Sequence, residues 1–244
     1  WLKKYSTMRK AQMRNMPVVA FIPAYNVGGM MNRSGTSRAN QEGPEEYGFR
    51  GNAQNLDLNR DFVKMDSKNA FVFAKIYHAL DPDVFIDNHA TNGADYQYVL
   101  TLISALGHRL TPEMRKATHE DMVPALNKRL TKKGFPISPY VDMVGATPEE
   151  GIRSFNDLPR YAMGYASLFS SFSFTVETHM LKPFPKRVEA TLLFFEEMLT
   201  YCAENSDKIE QVRRESIENY KNAKEFEHHF RLDTSRHAMI PFLG

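Results

Sequence analysis

The chain has 244 residues, and its 31 Lys and Arg side chains against 29 Asp and Glu give a formal net charge of +2. This near-balance leaves no basic face of the kind that nucleic-acid-binding proteins use, and no apolar run reaches the roughly 20 residues that a membrane helix needs. The single cysteine, Cys202, excludes an internal disulfide and a four-cysteine zinc site. We therefore expect neither nucleic acid nor a membrane as partner.

In chain order, predicted strands alternate with predicted helices. Short apolar runs predict buried strands over residues 17–23, 83–89, 96–103 and 172–179. Capping residues and helical periodicity predict helices over residues 66–80, 111–133 and 185–223. The alternation predicts an α/β fold with a mixed, largely parallel central sheet flanked by helices.

Local signals set the ends of two helices. Asp66 or Ser67 can cap the first of them with a side-chain oxygen. Thr111 followed by Pro112 has the N-cap and N1 arrangement that opens a helix. Pro124 lies inside the second helix and should bend it, because proline lacks the N–H that the helix needs there.

Two strands end in residues that can carry chemistry. His89 closes the run "DVFIDNH" with Asp87 two residues earlier on the same side of the strand, which suits a metal ligand and the carboxylate that orients it. Glu177, near the end of the strong strand "FSFTVETH", is a candidate general base whose pKa partial burial would raise. The alternatives are a hydrogen-bonded histidine at a strand end and a structural salt bridge for the glutamate.

The long loop before residue 62 carries a candidate anion site. Arg60 can grip a carboxylate through two parallel hydrogen bonds, and Asn59 can add an amide donor. Arg50 could instead stabilise negative charge that develops during a reaction. A solvated basic loop is the alternative.

Together these residues match a family. The run "RGNAQNLDLNRDF" over residues 50–62, followed by "DNH" ending at His89 and "VETH" containing Glu177, resembles the zinc metallocarboxypeptidases, of carboxypeptidase A/B type. The resemblance covers about residues 15–200 and implies a zinc exopeptidase-like α/β sandwich. It implies hydrolysis of the C-terminal peptide bond of peptides that have a free C-terminal carboxylate.

The resemblance also implies a role for each matching residue. His89 would be a zinc ligand, and Glu177 would take a proton from the zinc-bound water and deliver it to the leaving amine. Arg50 would hold the oxyanion, while Asn59 and Arg60 would bind the terminal carboxylate of the substrate. The family also uses a mobile tyrosine upstream of the catalytic glutamate, and Tyr161 and Tyr165 are both candidates for that substrate-binding role.

One motif of the family has no counterpart in this chain. The family's first zinc motif, His-x-x-Glu, should precede Arg50, but the first histidine is His78 and no His-x-x-Glu occurs. A catalytic zinc needs about three protein ligands, of which this sequence supplies one. We therefore expect a carboxypeptidase-like domain over residues 1–225 that is truncated at its N-terminus, is inactive by itself, and is followed by a separate segment over residues 226–244.

Two other functions stay open at this stage. A non-catalytic module could bind peptide C-terminal carboxylates through Asn59 and Arg60. An amide deacylase on the same architecture could act on acylated amino acids, although the peptide-type "NLDLNRDF" run argues against it.

Overall fold

The computed structural model describes residues 16–38, 41–91, 94–226, 235 and 237–244. Its strands are β1 Arg33–Ser34, β2 Tyr47–Gly48, β3 Val84–Ala90, β4 Leu100–Ser104, β5 Ile137–Pro139, β6 Asp142–Met143, β7 Ile152–Arg153 and β8 Phe172–Thr178. Its α-helices are α1 Val27–Met31, α2 Lys68–Leu80, α3 Pro112–Lys116, α4 Val123–Lys132, α5 Ala162–Ser167, α6 Phe184–Glu204 and α7 Ser206–Asn222. A 3₁₀ turn, Leu58–Arg60, lies between β2 and α2.

The central sheet has four strands in the order β3-β8-β4-β5. Strand β3 runs parallel to β8, and β4 runs parallel to β5. The junction between the two pairs, β4 with β8, is antiparallel. The predicted α/β fold with a mixed, largely parallel sheet is therefore confirmed, and two short antiparallel ladders, β1–β2 and β6–β7, lie outside the sheet.

Strand β8 lies between two layers of helices. Its apolar residues Phe172, Phe174 and Val176 belong to a core that includes side chains of α4 and α6. On the other face, Phe85 of β3 packs with Tyr165 of α5 and with side chains of α2. Helices thus cover both faces of the sheet, which explains why every residue of β8 is buried.

The helix predictions agree with the structure, with two refinements. The Ser67 side chain caps α2 by accepting a hydrogen bond from the Ala70 N–H. The helix predicted over 111–133 contains a π-helical segment, Ala117–Met122, directly before the turn that holds Pro124. The helical region predicted over 185–223 divides at Asn205 into α6 and α7.

The strand predicted over residues 17–23 is wrong. This segment has no ladder partner among the described residues, and Val18, Phe21 and Ile22 are exposed. An apolar run adopts a strand only where a neighbouring strand can take its backbone hydrogen bonds, and none of the described strands lies beside it.

The proposed boundary at residues 225/226 stays a prediction. Residues 227–234 and 236 lie outside the described residues. Beyond the boundary, the ring of Phe242 contacts the rings of Tyr96 and Tyr98. No helix in the described part of the chain is long and apolar enough to cross a membrane.

Candidate active site

A row of polar residues crosses the central sheet near the carboxyl end of β8. His89 of β3 is the register partner of Glu177 on β8, which in turn pairs with Thr101 of β4. Thr101 pairs with Ser138 of β5. Register partners point to the same face of a sheet, so the candidate metal ligand and the candidate base are neighbours.

His89 is held by a carboxylate from its own strand. Its Nε2 lies 2.5 Å from Oδ2 of Asp87, and about a quarter of each side chain is exposed. Burial lowers the pKa of His89, but the charge of Asp87 and its hydrogen bond outweigh burial and raise that pKa to about 9. This contact fixes the ring orientation and leaves Nδ1 as the nitrogen that a metal ion would take.

Glu177 carries a buried carboxyl group. It is 9% exposed, and its Oε2 has no hydrogen-bond partner in the described part of the chain. Burial raises the pKa of Glu177 and Asp87 adds to the rise, while the positive charges of His89 and two arginines, Arg38 and Arg50, oppose it. A carboxyl group with a raised pKa and an unpartnered oxygen is suited to accept and return a proton.

The structure adds a third acidic group that the sequence did not single out. Asp157, in the loop before α5, is 3% exposed and accepts a hydrogen bond of 3.4 Å from the Thr175 hydroxyl. Burial and the charge of Asp87 raise the pKa of Asp157 to about 7, against the opposing charges of His89 and Arg109. No local pattern marks Asp157, because its position depends on how the loop folds back on β8.

The second wall of the site is the loop around Arg50, which Asn26 holds in place. The Asn26 side-chain amide donates to the backbone carbonyls of Arg50 and Gly51, both at 3.1 Å. Its Oδ1 accepts from the Gly29 N–H at 2.9 Å and caps α1. A Cβ on Gly29 would lie 2.2 Å from the carbonyl oxygen of Phe49, so only glycine allows this close approach.

Asp57 connects Arg50 and Asn59, two of the candidate anion-binding residues of the loop. Its Oδ1 accepts from the Asn59 N–H at 3.0 Å and so begins the 3₁₀ turn. Its Oδ2 accepts from Arg50 Nε at 3.0 Å and forms an ion pair with Arg50 Nη2 at the same distance. One carboxylate therefore positions both Arg50 and Asn59.

Asp61 anchors the end of the same turn. It is 3% exposed, and its two oxygens accept from the N–H groups of Asp66 and Ser67, both at 2.9 Å. Burial raises the pKa of Asp61, but the hydrogen bonds from Ser67 and Asp66 outweigh it, so the pKa falls below its usual value. The hydrogen bonds tie the turn to the start of α2.

Arg60 and Tyr161 form a stacked pair. The Arg60 guanidinium carbon lies 4.5 Å from the Tyr161 ring centroid, and Arg60 Nη1 donates to the Asn59 carbonyl at 2.8 Å. Arg160 lies over the same ring at 4.8 Å and donates to the Tyr161 hydroxyl. Tyr165 lies in an aromatic cluster with Phe62, which lines the cleft, and its hydroxyl is 2.9 Å from His78 Nε2.

A cleft of about 340 Å³ lies between the sheet wall and the loop wall. Arg50, Asn59 and His89 line it, together with Arg38, which the sequence did not single out. The other lining residues are Tyr25, Asn26, Gln41, Asp57, Leu58, Phe62, Asp87, Asn88 and Ala90. Arg60 is not among the residues in contact with the cleft, although its neighbour Asn59 is.

The metal ligands do not come together in the described residues. No group of three or more His, Cys, Asp or Glu side chains there is arranged to hold a metal ion. His89, oriented by Asp87, suits one position of a zinc site, whereas a catalytic zinc takes about three protein ligands. The residues that the structure describes therefore do not fit a complete zinc centre.

Comparisons with known proteins give structural matches alone: no family model and no curated protein matches this chain. The chain is similar to the metallo-carboxypeptidase of Pseudomonas aeruginosa in complex with (2-guanidinoethylmercapto)succinic acid, at 18% identity and a TM-score of 0.46. It is also similar to the metallo-carboxypeptidase of Burkholderia cenocepacia, at 17% and 0.45, and to a putative carboxypeptidase A of Shewanella denitrificans, at 18% and 0.48.

Each of these three matches covers 66% of this chain and 42% of the other chain. The chain thus spans about two-fifths of the length of the structures it matches. Their names are those of the family that the 50–62 motif resembles.

Proposed function

We propose that this chain carries the substrate-binding and proton-transferring part of a zinc-dependent carboxypeptidase. The observation that supports it best is the convergence of Arg50, Asn59 and His89 on one cleft, with Glu177 in register beside His89. A peptide with a free C-terminal carboxylate is the substrate class that these groups suit.

The terminal carboxylate would bind at the Asn59–Arg60 end of the cleft. The planar Arg60 guanidinium is already oriented by its stack on Tyr161, so less side-chain entropy is lost on binding. Its Nη1 bond to the Asn59 carbonyl uses one of five N–H donors and leaves the others for the ligand. The pair would select peptides by their chain end.

The scissile carbonyl would lie between Arg50 and the sheet wall. Arg50 would donate to the carbonyl oxygen and to the oxyanion that forms from it, in exchange for part of its contact with Asp57. Glu177 would take a proton from the attacking water and return it to the leaving amine, which its raised pKa favours. The proposed enzyme would hold zinc with His89 as one ligand, and the described residues do not complete the zinc site.

The test measures binding of N-acetylated tripeptides with a free or an amidated C-terminus by isothermal titration calorimetry. The chain should prefer the free acid, and Arg60→Ala should remove about 10- to 100-fold of that preference, the value of one charge-assisted hydrogen bond. Arg160→Ala is the matched control, because Arg160 also lies over the Tyr161 ring. Equal loss of free-acid and amide binding in Arg60→Ala would contradict the assignment of Arg60.

Hydrolysis separates the enzyme from a module that only binds carboxylates, a function favoured by the lack of a complete metal-ligand group among the described residues. Release of the terminal amino acid, measured with Zn²⁺ in a protein that supplies the remaining zinc ligands, should disappear in Glu177→Gln while peptide binding is retained. Binding without any zinc-dependent release would favour the binding module instead.

A further inference from the structure

Arg38 is a cation of the cleft that the proposed function leaves without a role. It lines the cleft beside Arg50 and Asn59. Arg50 has Asp57 as its ion-pair partner, whereas no carboxylate among the described residues forms an ion pair with Arg38. Arg38 is therefore a guanidinium of the cleft whose charge has no direct partner among the described carboxylates.

The electrostatic surroundings of Arg38 agree with this description. Partial burial lowers the pKa of Arg38 and the positive charge of Arg50 lowers it further, while the negative charges of Asp57 and Glu177 oppose the shift. A guanidinium in a partly desolvated cleft gains from an anion that enters beside it, because that anion replaces lost hydration.

The position of Arg38 indicates which part of a bound peptide it would meet. Arg38 and Arg50 line the same cleft, and after burial the charge of Arg50 acts most strongly on Arg38; the proposed function assigns the scissile carbonyl to Arg50. With the terminal carboxylate at Asn59 and Arg60, the residue beside Arg50 is the one that supplies the scissile carbonyl. The side chain of that residue would then be the part of the substrate that faces Arg38.

We propose that Arg38 binds the acidic side chain of the penultimate substrate residue, so that the preferred substrates are peptides ending in Asp or Glu followed by one further residue. The inference rests on the proposed function, because the free carboxylate at Asn59–Arg60 sets the position of the peptide. The planar fork of the guanidinium matches a carboxylate through two parallel hydrogen bonds, and an amide offers one acceptor and no charge.

Four peptides test this: acetyl-Ala-Glu-Ala and acetyl-Ala-Gln-Ala, each as the free acid and as the C-terminal amide. Calorimetric titration of the 244-residue chain should show that the free acid with Glu binds about 10- to 100-fold more tightly than the one with Gln. Arg38→Gln should bind both free acids equally, and Arg38→Lys should keep part of the preference. Arg33→Gln, an exposed arginine outside the cleft, should behave like the unaltered chain.

The outcomes separate the two proposals. Preference for free acids over amides without preference for Glu over Gln would overturn the role of Arg38 and leave the proposed function standing. A preference for Glu over Gln that persists in Arg38→Gln would also overturn the role of Arg38. So would an equal loss of affinity for both free acids in that variant, which would mean that Arg38 acts through Glu177 instead. No preference for free acids, or no binding of any of the four peptides, would overturn both proposals.

Discussion

The two walls of the cleft are built in different ways. The sheet wall presents Glu177 from the fully buried β8 and His89 from β3, which the parallel ladder with β8 holds in register. The loop wall presents Arg50 and Asn59 from a segment with little regular structure, held by side chains such as Asp57 that bond to the backbone.

Because the two walls are held by different interactions, substitutions behind them should affect the stability of the chain differently. Apolar burial fixes the sheet wall, so its positioning groups are large side chains that also stabilise the whole domain. Polar contacts fix the loop wall, and each of them contributes less free energy. Substitutions behind the two walls should therefore differ in size and in their response to pH.

The largest effect is expected behind the sheet wall. Phe174 is fully buried in the core formed by β8, α4 and α6. Phe174→Ala should lower the free energy of unfolding by about 3–5 kcal/mol, because it removes apolar contact and leaves a cavity. Chemical denaturation measures it, and Phe71→Ala, on an exposed helix position, is the control with an expected change within about 0.5 kcal/mol. Similar losses for the two variants would mean that the sheet wall does not depend on this core.

An intermediate effect is expected behind the loop wall. Asp61→Asn should cost about 1–3 kcal/mol, because an amide cannot accept from both the Asp66 and Ser67 N–H groups. The pKa of Asp61 is lowered in the folded chain, so its contribution is complete above the unfolded pKa near 3.8 and is lost as the pH falls through the folded value. The difference between Asp61→Asn and the unaltered chain should therefore shrink in acid.

Denaturation curves at several pH values between about 2 and 7 measure this, around a usual Asp pKa near 4. Asp66→Asn, at an exposed position in the same turn, is the control and should change stability by less than about 0.5 kcal/mol. A pH-independent difference for Asp61→Asn would show that the two backbone hydrogen bonds are not made by the ionised carboxylate.

The smallest effect on stability is expected within the cleft itself. The Arg50–Asp57 pair is exposed, with 48% and 35% of the side chains accessible, so Arg50→Gln should cost less than about 1 kcal/mol. Arg153→Gln, which breaks an exposed pair with Asp142, should cost the same. Arg50→Gln alone should weaken binding of free-acid and amidated peptides by one common factor, about 3- to 10-fold. A selective loss of the free acid would move Arg50 to the terminal carboxylate.

Local signals predicted the elements whose causes are local. The cap at Ser67 and the unbroken apolar pattern of 172–179 each specify their structure within a few residues, and both are present. The strand predicted over 17–23 needed a partner strand that no local pattern can guarantee. The same apolar residues would suit a strand or an irregular segment, and only the presence of a neighbouring strand determines which of the two they form.

In the candidate site, too, the residues marked by local patterns were predicted and those placed by long-range contacts were not. His89, Glu177, Arg50 and Asn59 stand out because their residue types and spacing suggest chemistry, and the fold brings them to adjoining walls. The supporting groups were missed, because Asn26 acts across 24 residues of sequence on the Arg50 carbonyl. Tyr161 and Tyr165 could not be ranked from sequence, since a difference of four residues near a short helix leaves their directions open.

The row from His89 through Glu177 to Thr101 and Ser138 also limits how this protein can change over evolutionary time. Deleting one residue within β8 would turn the Glu177 side chain to the opposite face, and deleting two would set a different residue opposite His89. Loops between the strands can lengthen or shorten without disturbing that alignment. Length variation among descendants of this sequence should therefore collect in the connections and spare the strands, even where their apolar residues are exchanged.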